Sequence, residues 1–213
     1  MNRQQAIRMA GHKLVAGFEG CSLPPEMVDL IRQHKVSNVI LFSRNIENKA
    51  QLRELCAQIK QLVLQETGEE ALITIDQEGG SVSRLPADCF LFPSQMAIAA
   101  TANPHNAYKA SYGSGLLLRS LGINFNLAPV MDMNINPRNP VIATRSFGDK
   151  LDLVSECGRL SIKGYVDAGI LSCAKHFPGH GDTAIDSHVG LPVVDKFMYE
   201  LWETELLSFV SAI

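Results

Sequence analysis

No stretch of about 18 consecutive apolar residues occurs in the sequence, so it offers no candidate membrane-spanning helix. The N-terminal segment "MNRQQAIRMAGHKLVAGFEG" has neither an apolar core nor a small-residue cleavage site. A secretory leader is therefore not expected, and a cytoplasmic location is. Cysteine is sparse: five, an odd number, widely spaced and without a C-x-x-C pair. Cys21, Cys56, Cys89, Cys157 and Cys173 read as reduced core residues rather than a disulfide frame or a zinc site. Basic residues form no stripe and the net charge is only −3, which argues against nucleic acid and membrane surfaces as partners. No G-x-G-x-x-G follows the first apolar run and no H-E-x-x-H occurs, so a dinucleotide fold and a zinc protease lose their main support.

What is present is an ordinary globular composition, 46% hydrophobic and 19% charged, over 213 residues. That length suits one domain with a sizeable core, or part of a larger one. Short apolar runs alternate with helical patterns. Strands are expected at 13–18, 37–42, 71–75, 123–129 and 170–174. Helices are expected at 25–34, 48–68, 105–121, 151–168 and 196–213, with Gly68, Gly122 and Gly169 as stops. Strands apolar on both faces, each followed by a helix, predict a parallel sheet covered by helices. Polar groups cluster just after strands: Ser43 and Arg44, "DQEGG" at 76–80, "DMN" at 132–134, then Lys175 and His176. In a (β/α)8 barrel those strand ends are the active-site rim. The expected fold class is therefore α/β, a (β/α)8 TIM-type barrel of which this sequence supplies about five of eight βα units.

Three segments carry residues suited to chemistry. "ITIDQEGGSVSR" delivers Asp76 to a strand end before two glycines, with Arg84 able to return toward it. Such a carboxylate suits two hydroxyls of a polyol; an N-cap or a structural Asp–Arg pair fits the same residues. "NPVIATRSFG" places Arg145 in a long irregular segment, where it is either functional or a loop brace on backbone carbonyls. "KHFPGHGDTAIDSH" packs three histidines and two aspartates into fourteen positions. His176 and His180 are four apart, but Pro178, Gly179 and Gly181 make a metal-binding helix there implausible, so no metal is expected. His180 and Asp182 suit a turn brace. Asp186 and His188, two apart, suit a carboxylate that orients an imidazole and stabilises its protonated form.

Read together, "ITIDQEGGSVSRLP", "FNLAPVMDMNINPRNPVIATRSFG" and "AKHFPGHGDTAIDSHVGLP" closely resemble the β-N-acetylglucosaminidases of glycoside hydrolase family 3, the group used in bacterial cell-wall turnover. The resemblance runs from "GFEG" to the last helix, and residues 1–213 are expected to be the N-terminal part of a single catalytic domain. The β-glucosidase branch resembles "KHF" but typically lacks "DSH". The resemblance implies exo-hydrolysis of terminal N-acetylglucosamine with retention of configuration and no cofactor. Carried over by motif, Asp76, Arg84, Arg145, Lys175 and His176 are the sugar-binding set. His188 is the general acid/base and Asp186 its partner. The implied substrates are N-acetylglucosamine-containing glycans or muropeptides.

Two departures bear on this. Ser81 stands where relatives often carry a basic residue. The family's nucleophile is an aspartate in a motif resembling "SDDL", and these 213 residues contain none. Asp132, at a strand end, is the one tempting substitute. The chain by itself is therefore expected not to turn over substrate, and to self-associate through open barrel edges. Two other functional classes fit the same residues: a truncated, non-catalytic carbohydrate-binding protein, and a family 3 glycosidase or phosphorylase of other specificity.

Overall fold

The computed structural model describes residues 2–183 and 190–213. Contacts divide the chain into two units. The first comprises Met1–Asp76, Arg84–Phe90 and Leu117–Asn126; the second comprises Gln77–Ser83, Leu91–Leu116 and Leu127–Ile213.

In the first unit, α1 (Arg3–Gly11) is capped by Asn2, whose side chain accepts from the Gln5 N–H at 2.8 Å while Gln5 returns the bond. β1 is short, Val15–Ala16. α2 (Pro25–His34) begins with proline, whose missing N–H costs nothing there, and buries Met27 and Ile31. β2 (Asn38–Leu41) is followed by α3 (Lys49–Thr67). Asn48 caps α3, and Gly68 ends it at φ 73°, a left-handed conformation that glycine adopts without strain. Leu52, Leu55, Cys56, Ile59 and Val63 form its buried stripe. β3 (Leu72–Ile75) and β4 (Phe125–Asn126) complete the unit.

The strand pairs are parallel. Val15 pairs with Asn38, Asn38 with Leu72 and Thr74 with Phe125. Asn124 extends the pairing with its side chain, accepting from the Ile73 N–H and donating to the Ala71 carbonyl, each at 2.8 Å. Val39, Leu41, Ile73 and Ile75 are fully buried, as expected for strands covered on both faces.

The second unit contains α4 (Gln95–Ala99), most of α5 (His105–Ser120), α6 (Leu151–Asp167), β5 (Leu171–Ser172), α7 (Met198–Glu203) and α8 (Glu205–Val210). Val130 and Lys175 form a parallel bridge, flanked by hydrogen bonds from Cys173 N to Ala128 O and from Lys175 N to Pro129 O, both 3.1 Å. Gln95 behaves like an adjoining strand: its side chain donates to Val130 O at 2.8 Å and accepts from Val130 N at 2.9 Å. Helices α5 and α6 approach closely through small residues, with Ser111 bonded to Ser161 and Gly164 lying against the α5 backbone. Ile98, Ala107, Met133, Phe147, Val154 and Cys157 form the core beside them.

Several expectations are corrected. The helix expected at 196–213 is two helices that meet at Thr204 (φ −128°, ψ −97°). Thr204 Oγ1 donates to Glu200 O at 2.7 Å and also bonds the Glu205 carboxylate, and this local competition ends α7. Cys21 is exposed, unlike the buried Cys56, Cys89 and Cys157, so not all five cysteines belong to the core. The strands are also shorter than their apolar runs.

Candidate active site

Residues Gln77–Ser83 form a tight turn in which the Glu78 and Gly79 N–H groups both donate to Val82 O, at 3.0 and 3.1 Å. The two glycines are required. Gly79 and Gly80 have φ of 93° and 57°. A Cβ at Gly79 would lie 2.4 Å from Pro93 O, and one at Gly80 2.6 Å from Ser94 Cβ. This close approach fixes the Glu78 carboxylate in the interior.

Two cations converge on that carboxylate. Arg145 makes a two-pronged bond, Nε to Oε2 and Nη2 to Oε1, both 2.8 Å. Lys175 Nζ lies 2.6 Å from Oε1. Burial alone would raise the Glu78 carboxyl. The hydrogen bond from Arg145 and the charge of Lys175 outweigh it and hold the group below the usual carboxylate range.

The next contact extends the array. Arg145 Nη2 lies 3.0 Å from His176 Nε2. His176 Nδ1 lies 2.6 Å from Asp132 Oδ2, which also accepts the His176 backbone N–H at 3.1 Å. Asp132 Oδ1 accepts the His180 N–H at 2.6 Å. The side chains of Glu78 and Asp132 are 1% and 0% exposed, whereas Lys175, Arg145 and His176 are 13%, 15% and 32% exposed. The carboxylates thus sit inside, and the nitrogen groups stand where solvent or a ligand reaches them. Two carboxylates balance two cations, so the site suits a neutral ligand rich in hydroxyls.

The loop beyond His176 is braced from several sides. His180 is buried, and its Nδ1 bonds the Thr183 hydroxyl. Asn139 donates to His180 O at 2.7 Å and accepts from Val141 N and Ile142 N at 2.8 Å each. Gly181 has no space for a side chain: a Cβ would lie 1.6 Å from Met133 O. Asp182 bonds Lys196 at 2.9 Å, and Lys196 also reaches Glu205 at 2.5 Å. Burial would lower the Lys196 ammonium, but the bonds from Glu205 and Asp182 raise it above its ordinary value. Among the described residues, no group of three or more His, Cys, Asp or Glu side chains is placed to hold a metal.

Residues 13–213 match the model of the glycosyl hydrolase family 3 N-terminal domain. The chain belongs to glycosyl hydrolase family 3. It is 41% identical over 197 residues to β-hexosaminidase A of Pseudoalteromonas piscicida, covering 90% of this chain and 33% of that protein. The family 3 β-N-acetylglucosaminidase of Paenibacillus sp. str. FPU-7 matches the whole chain with a TM-score of 0.94 and 40% identity, over 40% of its own length. NagZ of Neisseria gonorrhoeae, solved in complex with N-trifluoroacetyl-D-glucosamine, matches 93% of the chain with a TM-score of 0.79 and 31% identity, over 59% of its own length. The chain therefore spans between a third and three-fifths of these relatives' lengths. The parallel α/β fold expected from the sequence is that of the family 3 domain.

Of the residues expected to bind sugar, Arg145, Lys175 and His176 come together in one array. Asp76 is half-buried at the C-terminal end of β3, and Arg84 is half-buried in the same unit. The acid/base pair, Asp186 and His188, lies outside the described residues. Arg145 does bond a carbonyl, Val141 O at 3.2 Å, but its main partner is Glu78. Two residues escaped the sequence reading in their true roles. Glu78 was not singled out, although two cations after separate strands call for a buried counter-charge. Asp132 stood out only as a substitute nucleophile. Fully buried, accepting from the His176 and His180 backbone N–H groups and bonded to the His176 ring, it is an internal anchor among the described residues.

Proposed function

We propose that these residues form the sugar-gripping part of a retaining exo-β-N-acetylglucosaminidase acting on terminal N-acetylglucosamine of cell-wall-type glycans or muropeptides. The observation that carries the reading is the Glu78 clamp, which holds Arg145 and Lys175 as fixed donors beside His176. Fixed donors favour a rigid polyol because little side-chain entropy is lost on binding. The names of the family 3 relatives, and the N-acylglucosamine bound to one of them, support the sugar class. Asp76 and Arg84 are carried into the set by their motif.

In this reading His188 protonates the glycosidic oxygen as the bond to the anomeric carbon breaks, and Asp186 stabilises the imidazolium before and after. An aspartate carboxylate takes the anomeric carbon and forms a covalent glycosyl-enzyme. His188 then removes a proton from the water that releases the sugar. The 213 residues contain no motif resembling "SDDL" for that nucleophile. We infer that residues 1–213 are the N-terminal part of one catalytic domain, that they act in the cytoplasm, and that this chain alone binds sugar without hydrolysing it.

The test is to assay the purified chain on an aryl N-acetylglucosaminide and to look for a trapped adduct by mass spectrometry. Binding without turnover is expected. Sustained turnover with an adduct on Asp132 would overturn the assignment of the nucleophile. The same fixed donors also fit a second reading, a carbohydrate-binding protein without catalysis. Restoring hydrolysis by adding a nucleophile-bearing segment of a family 3 relative excludes that reading, and failure to restore it supports it.

A further inference from the structure

We propose that Asp132 is a positioning residue that fixes His176 as a hydrogen-bond acceptor in the site. The inference rests on the sugar-gripping reading above and adds a direction to one of its contacts. Arginine carries only donors. Arg145 Nη2 lies 3.0 Å from His176 Nε2, so Nε2 accepts and the ring proton resides on Nδ1. That proton points at Asp132 Oδ2, 2.6 Å away. The carboxylate cannot donate in its ionised form, so it selects this tautomer and no other. The backbone bond from His176 N to the same oxygen, at 3.1 Å, fixes the ring's root as well as its tip.

The two oxygens of Asp132 have separate tasks. Oδ2 holds His176, and Oδ1 holds the His180 N–H at 2.6 Å, bracing the loop. The consequence is chemical. Nε2 has one lone pair and Arg145 Nη2 engages it, so His176 joins Glu78 in holding the guanidinium as a fixed donor beside Lys175.

Asp132→Asn separates positioning from bracing. The His180 N–H keeps the amide oxygen at the Oδ1 position, so the loop brace survives. The amide NH2 then faces the His176 backbone N–H, which loses its acceptor, and Nδ1, and it drives the ring proton to Nε2, where it opposes the Arg145 donor. Histidine-selective 15N NMR reads the tautomer directly. In the wild-type chain His176 should show a protonated Nδ1 and a bare Nε2. In Asp132→Asn that pattern should invert or mix, and calorimetry should show N-acetylglucosamine binding weakened about tenfold, the scale of one hydrogen bond to a charged group. A wild-type His176 protonated at Nε2 overturns the proposal even if the variant does not fold. So does a folded variant with an unchanged His176 spectrum, whether or not its stability falls, or with unchanged affinity. Absence of sugar binding by the wild type would instead sink the sugar-gripping reading, while the tautomer still decides the inference.

Discussion

Glu78 is the residue on which the site's electrostatics turn. Its carboxyl is held below the ordinary glutamate value, about 4.3, because the Arg145 and Lys175 contacts outweigh its burial. Below that ordinary value the unfolded chain binds a proton that the folded chain refuses. Stability from this group is therefore complete above pH of about 4.3 and is lost as pH falls toward the lower folded value. Urea unfolding as a function of pH should show this acid-side loss, and Glu78→Gln should flatten it. Glu78→Gln should also cost about 3–5 kcal/mol, because two partly buried cations lose their partner. A Gln variant with the wild-type pH profile would contradict the clamp. Asp76→Ala should weaken N-acetylglucosamine binding by about 1.5–3 kcal/mol, and unchanged affinity in calorimetry would make Asp76 structural. Where turnover is measured, His188→Ala should lower it by roughly 10²- to 10⁴-fold for poor leaving groups and far less for activated aryl glycosides. Equal losses in glycosylation for both would remove His188 from the acid role. Arg145, Lys175 and His176 entered the site reading through the resemblance of their motifs; the residues alone left Arg145 open as a loop brace, and the array in which the three meet is a finding of the structure. Glu78 and Asp132 were not legible in their true roles, because a buried counter-charge has no signature of its own in one sequence.

At the scale of elements, α5 and α6 meet through small residues with no room to spare at Gly164. A Cβ at Gly164 would lie 2.5 Å from Tyr108 O and 2.9 Å from Tyr112 N. Gly164→Ala gains about 1 kcal/mol of helix propensity. Overpacking against rigid backbone costs about 1–3 kcal/mol, so the net effect should be destabilising. Chemical unfolding checks the sign; a more stable variant would mean the helices separate without cost. Helices α2, α3, α5 and α6 were legible within a residue or two, since their stripes and glycine stops act locally. The strands were legible as burial but not as ladders. An apolar run reports that a segment is covered, whereas β1, β4 and β5 are each two residues long because pairing depends on neighbours distant in sequence. Gln95 standing in for a strand at Val130, and Thr204 dividing α7 from α8, are side-chain bonds that periodicity does not encode.

At the scale of the whole molecule, the second unit displays much apolar surface. Phe177, Leu191, Val193, Phe197, Met198, Tyr199 and Trp202 are each between 53% and 83% exposed. Exposed apolar side chains of this size are the ground on which we propose that the chain self-associates. Sedimentation velocity should find a dimer or larger species that dissociates on dilution, and a monomer at every concentration would contradict this. The central claim is that Arg145 and Lys175, clamped by Glu78, grip a terminal N-acetylglucosamine. It is tested most directly by calorimetric titration of the 213-residue chain with N-acetylglucosamine, beside Arg145→Gln and Lys175→Gln. Binding by the wild type, weakened about tenfold or more in each variant, is the expected result. No binding by the wild type, or equal binding by all three proteins, would contradict it.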